Sequence, residues 1–150
     1  MSVFKEDLSS TSSTANQSSF ALFLSTYKIQ HVLFKSRAYS SIVNGTVSDD
    51  LKSDHMHCNF GKWYYGKGKE LFGNNATFKR IEVEHEAFHK LVNNSLDCAL
   101  KSRCMAKNEQ KENMIKDFKQ AEEHSNRLFD LLDELSEELG KGIDMKEVLA

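Results

Sequence analysis

At 150 residues with 20 basic and 22 acidic side chains, a formal charge of −2, the chain has the length of one domain and no broad basic surface for nucleic acid or anionic lipid. Proline is absent and glycines number seven, so helix can run with few built-in breakers and an all-α fold is expected. No apolar run reaches membrane-spanning length and no charged-then-hydrophobic leader is visible, which argues against membrane insertion and for a cytoplasmic location.

Taken in chain order, residues 1–19 include SSTSSTANQSS, small and polar with no apolar stripe, and read as a flexible or loosely helical lead-in. From Phe20 the residues Leu24, Tyr27, His31, Phe34, Ala38 and Ser41 recur in steps of four and three. That spacing predicts one face of a helix ending near Asn44-Gly45, with His31 in the middle of its buried stripe.

A polar connection, TVSDDLKSD, leads into HMHCNFGKWYYGKGKELFG, where Gly61, Gly66 and Gly68 argue for a turn and a short helix rather than one long helix. Asn74, Asn75 or Thr77 can cap the next helix, whose inward face is Ile81, His85, Phe88, Val92, Ser95 or Leu96, and Ala99. The last helix steps through Met114, Phe118, Ala121, Ser125, Leu128, Leu132, Leu135 and Leu139, and Gly140 reads as its stop. Three long amphipathic helices and a shorter aromatic-rich one predict an antiparallel four-helix bundle over 20–140, with room for an extra N-terminal helix and with a C-terminal tail over 141–150.

The chemistry-bearing residues lie on successive segments. HEAFH at 85–89 matches H-E-x-x-H, in which two histidines one turn apart bind zinc and the glutamate activates water in peptidases. That reading needs an open coordination position. His31, Cys58, His85 and His89 together instead count to four, a nitrogen and sulfur set suited to tetrahedral Zn²⁺. His55 and His57 stand just before Cys58 as competing ligands or surface histidines, and His124 reads as structural or exposed. Cys98 and Cys104 fall on the third long helix without ligand spacing. They read as reduced, small helical side chains.

CNFGKWYYGKGKELF at 58–72 resembles the Cys-x-aromatic-Gly-x-Trp-Tyr signature of the bacterial chemoreceptor zinc-binding (CZB) domain. His31 in YKIQHVLFK and the His85/His89 pair in VEHEAFHKLV stand where that family has its histidines, with gaps of 27 residues on either side of Cys58. The resemblance covers roughly residues 20 to 136.

It implies a 3His/1Cys zinc site in a helical bundle that forms a homodimer and acts as a sensory module without catalysis of its own. It also implies a signalling output domain or the chemotaxis machinery as partner, since family members are fused to chemoreceptor hairpins or diguanylate cyclases, or occur alone. The signal the resemblance implies is zinc itself or an oxidant such as hypochlorous acid acting on zinc-bound Cys58. Two alternatives stay open on the residues alone: a zinc-dependent hydrolase with Glu86 of HEAFH as base, and a metal-free helical interaction module.

Overall fold

The computed structural model describes the backbone of residues 2–150 and the side chains of residues 12–101 and 104–150. Its architecture is the expected all-α bundle. The long helices are α1 (Ser2–Asn44), α4 (Ala76–Leu100) and α6 (Asn108–Leu139). Short helices α2 (Asn59–Trp63), α3 (Lys69–Phe72), α5 (Ser102–Ala106) and α7 (Met145–Leu149) fill the connections.

The stripe read from the sequence builds α1: Phe20, Leu24, His31 and Ala38 are buried on one side. Gly45, at φ +68°, ends the helix in the left-handed conformation that glycine adopts without strain, and the Thr46 N–H closes onto the Ser41 carbonyl at 2.9 Å. Residues before Phe20 continue α1 instead of forming a separate helix, although none of residues 12–19 is buried.

Asn75 caps α4 by accepting from the Phe78 N–H at 2.9 Å, and the helix buries Ile81, His85, Phe88, Val92, Ser95 and Leu96 as its period requires. On α6 the stripe buries Met114, Ala121, Ser125, Leu128, Leu132 and Leu135. Gly140 follows the last residue of α6 as the expected stop, and it has a second part. It is buried at φ −61°, and a Cβ there would lie 2.9 Å from the Gln17 Cα, so its lack of a side chain lets the backbone of α1 come close.

The aromatic segment is one short helix, a π-type turn over Tyr64–Gly68 kinked at Gly66, and a second short helix. It packs Phe60 and Tyr64 into a core shared with Phe20, Leu24, Phe78 and Leu128. The final residues close this end. Ile143 and Val148 are buried, and the Trp63 indole N–H donates to the Val148 carbonyl at 3.1 Å.

One expectation is corrected. Cys98 and Cys104 do not share a long helix as reduced side chains; they are joined in a disulfide with Cα atoms 5.3 Å apart. The helix stops at Leu100, and Lys101 is extended at φ −102°, ψ 112°. That break turns the chain and brings Cys104 back beside Cys98. Cys58 is the free cysteine.

Candidate metal centre

His31 from the middle of α1, Cys58 from the loop before α2, and His85 and His89 from α4 come together at one point, with all four ligand atoms within 4.8 Å of one another. His31 Nε2 lies 2.9 Å from His85 Nε2, and Cys58 Sγ lies 3.4 Å from His85 Nε2 and 4.0 Å from His31 Nε2. A tetrahedral zinc with Zn–N of about 2.0 to 2.1 Å and Zn–S of about 2.3 Å has ligand-to-ligand edges of roughly 3.3 to 3.6 Å. The cluster's edges, from 2.9 Å to at most 4.8 Å, bracket that tetrahedron.

The outer ring nitrogens explain the orientation. His31 Nδ1 donates to the Tyr27 carbonyl at 2.6 Å, one turn back on α1, and His89 Nδ1 donates to the Ser53 carbonyl at 2.7 Å. Each bond fixes a neutral tautomer whose Nε2 lone pair faces inward, the arrangement that metal-binding histidines use. The inward His89 Nε2 is buried and has no hydrogen-bond partner among the described atoms. A buried nitrogen in that state costs free energy unless something fills its lone pair, and a metal does so.

Electrostatics point the same way. Burial pulls the pKa of His31 down, pulls His89 down to about 4, and pulls His85 down further still, with help from the neighbouring imidazoles. Burial pushes the Cys58 thiol up, against the Gly61 N–H that donates to Sγ at 3.3 Å. The donor set is therefore three neutral imidazoles and one thiol whose proton a metal displaces, and it fits zinc.

Local sequence builds the loop that presents Cys58. Its N–H donates to the Asp54 carbonyl at 3.2 Å and its side chain caps α2. Gly61 permits this fold-over, because a Cβ at that position would stand 1.9 Å from the His55 carbonyl oxygen. Asn93, one turn beyond His89 on α4, donates to the Ser53 carbonyl at 2.8 Å and accepts from the Ser53 N–H at 3.2 Å. The sequence reading missed Ser53 and Asn93. The signal for Asn93 was its i+4 spacing from His89 on the same face.

The remaining candidates fall elsewhere. His57 is exposed and pairs with Asp54 at 2.8 Å, and His124 pairs with Glu84 at 2.5 Å. Glu86 is exposed, one residue off the buried face. Trp63 and Tyr64 pack the core, while Tyr65 OH donates to Glu82 at 2.9 Å. Among the described residues, the acids and histidines of the rest of the chain form no second cluster able to hold a metal.

Residues 31–96 match the family model of the chemoreceptor zinc-binding domain. This is the family that the Cys-x-aromatic-Gly-x-Trp-Tyr motif resembles, and the matched segment contains all four convergent residues. No curated protein and no solved structure matches the chain. The CZB match and the three-histidine, one-cysteine cluster fit a zinc-binding signalling domain. No helix among the described residues is long and apolar enough to cross a membrane.

Proposed function

We propose that this chain is a cytoplasmic zinc-binding sensory domain of bacterial signal transduction, of the chemotaxis or cyclic-di-GMP type. His31, Cys58, His85 and His89 hold one Zn²⁺, and Cys58 makes the site responsive to zinc and to oxidants such as hypochlorous acid. The observation that carries this reading is the orphaned, inward-facing Nε2 of buried His89, standing in a cluster with three other donors of the right kind.

Bound zinc would hold Cys58 as thiolate. The residues do the rest. α1, the Cys58 loop and α4 each contribute to the site, so occupancy pins three segments together. Structural zinc sites are worth roughly 10 to 16 kcal/mol in small peptides. Driving a two-state equilibrium from one extreme to the other takes about 5.5 kcal/mol of differential binding. The free energy of a whole zinc site is therefore large enough to drive such a switch, and loss of one ligand draws on it.

Oxidation reaches the site through Cys58, which is half-buried and lines a cleft of about 520 Å³ together with His31, His89 and Arg37. The thiolate sulfur takes chlorine from hypochlorous acid and releases hydroxide; water then replaces chloride, leaving sulfenic acid, a proton and chloride ion. Sulfur loses two electrons and chlorine gains them. The product is a weaker ligand.

A hydrolytic role has less support, since the four donors fill a tetrahedral shell and Glu86 points to solvent. A second copy of the chain is the partner this reading assigns to α1. Leu22, Ile29, Val32, Tyr39 and Val43 are exposed and recur at coiled-coil spacing along the helix, with Tyr39 at the edge of the stripe against Phe118.

Zinc stoichiometry with X-ray absorption tests the reading. One zinc per chain in a shell of one sulfur and three nitrogens is expected; a metal-replete preparation without zinc would reject the sensor in favour of a bare interaction bundle.

A further inference from the structure

The Cys58 loop carries a fifth donor that the four-residue site does not use. His55 lies three residues before Cys58 in the turn closed by the Cys58 N–H on Asp54, and it is half-buried where His57 is exposed. Its ring centroid is 5.8 Å from that of His85. The three ligand imidazoles stand 4.7, 4.9 and 5.2 Å from one another, so His55 waits only slightly outside the packing distance of the ligands themselves. Its other ring neighbour is Tyr65, edge-on at 6.0 Å. His57 makes a poor competitor, because its side chain is 80% exposed and is held outward on Asp54.

Resting on the zinc reading above, we propose that His55 is a reserve zinc ligand: when the Cys58 thiolate is withdrawn, the His55 imidazole leaves its edge contact with Tyr65 and enters the vacated fourth position. The 3His/1Cys site becomes a four-histidine site. While the thiolate is present, the charged sulfur holds the position and His55 stays outside.

The geometry allows the exchange with little rearrangement. The His55 carbonyl is already 3.7 Å from Cys58 Sγ and is held beneath Gly61, so the backbone of residue 55 is anchored beside the site. The exchange then calls for a side-chain rotation about that anchor. The consequence is a switch that changes the loop without emptying the site. Pulling His55 inward strips one face of Tyr65, which an attached or associated output domain can read.

The test compares zinc-loaded wild type, Cys58→Ala, Cys58→Ala/His55→Ala and Cys58→Ala/His57→Ala by X-ray absorption and chelator competition, with helix content checked by circular dichroism. Wild type should show one sulfur and three nitrogens. Cys58→Ala should show four nitrogens, and adding His55→Ala, which removes a ligand, should weaken zinc binding by at least the roughly tenfold that loss of a mere supporting group costs at metal sites. Adding His57→Ala should change nothing.

Should Cys58→Ala fail to fold, wild type alkylated at Cys58 with iodoacetamide supplies the same withdrawn state. A Cys58→Ala or alkylated site with three nitrogens and a water oxygen, insensitive to His55→Ala, overturns the reserve-ligand proposal and leaves the zinc site intact. Wild type without zinc overturns both readings.

Discussion

Ser53 and His89 meet across the candidate metal centre: the Ser53 carbonyl accepts from His89 Nδ1 at 2.7 Å and from Asn93 Nδ2 at 2.8 Å. One backbone oxygen thus fixes the tautomer of a ligand and ties the Cys58 loop to α4. Replacing Asn93 by Ala removes two of the hydrogen bonds between loop and helix while leaving every ligand in place. Zinc affinity should fall about 10- to 100-fold, as for other groups that orient metal ligands. Competition with a chromophoric chelator measures it, and an unchanged affinity would show that the loop is positioned by other contacts.

A pH dependence follows from the same shell. The histidine pKa values are lowered by burial, so at neutral pH the imidazoles carry no proton to displace; the Cys58 thiol is raised by burial and does. The proton belongs to the metal-free state, so raising pH favours zinc uptake. The logarithm of the affinity should climb about one unit per pH unit between about pH 6 and 8. The slope should steepen only in acid, as His89, pulled down to about 4, begins to protonate. Calorimetry in buffers of different ionisation enthalpy should count one proton released per zinc. Three or more at pH 7 would contradict the burial argument.

Gly61→Ala should damage the site without touching a ligand. The added methyl would stand 1.9 Å from the His55 carbonyl oxygen and 2.9 Å from the carbonyl carbons of His55 and Met56, all backbone atoms that cannot rotate away. The loop must shift, at a cost of about 1 to 3 kcal/mol by analogy with overpacked cores. Weaker zinc binding and a lower Tm should appear together. A variant with wild-type affinity would mean the loop reaches Cys58 by another path.

The long helices and the convergence of the four donors were legible because both depend on period. His31, His85 and His89 each sit on a stripe whose other members are large and apolar, so the bundle turns them inward together. What period does not encode was not legible. In an unbroken helix Cys98 and Cys104 would be rotated about 240° apart, on different sides, and no glycine or proline marks the break at Lys101 that joins them. The burial of Ile143 and Val148 was hidden for a related reason, since Ile143 is an extended residue outside any helix and α7 is only five residues long, too few turns to show a stripe. Tyr27 and Ser53 act on the site through main-chain carbonyls, which no side-chain pattern reveals.

The disulfide is a staple distinct from the metal centre. It closes a short loop of sequence separation 6 between α4 and α5, for which the chain-entropy argument gives about 2 kcal/mol. Cys98→Ser/Cys104→Ser should lose about that much stability in denaturant while keeping one zinc per chain. Thiol counting on the unfolded wild-type protein without reductant should find one free cysteine, Cys58. Three free thiols there would show that the pair is reduced in solution.

The exposed face of α1 carries the last prediction. Ile29 is 61% and Val43 66% exposed, and with Leu22, Val32 and Tyr39 they continue a three-and-four spacing interrupted only by Ser25 and Ser36. A single apolar residue on a surface needs no partner, but a stripe at coiled-coil spacing along a long helix matches what a second helix would cover. If two copies pair along this face, Ile29 lies near the middle of the contact, where a charge would be desolvated. Ile29→Glu should therefore convert a dimer to a monomer at micromolar concentration in sedimentation experiments. Helix content and zinc stoichiometry should not change, because Ile29 touches neither the core nor the ligands. A wild-type monomer, or a dimer indifferent to Ile29→Glu, would place the partner of α1 outside this chain.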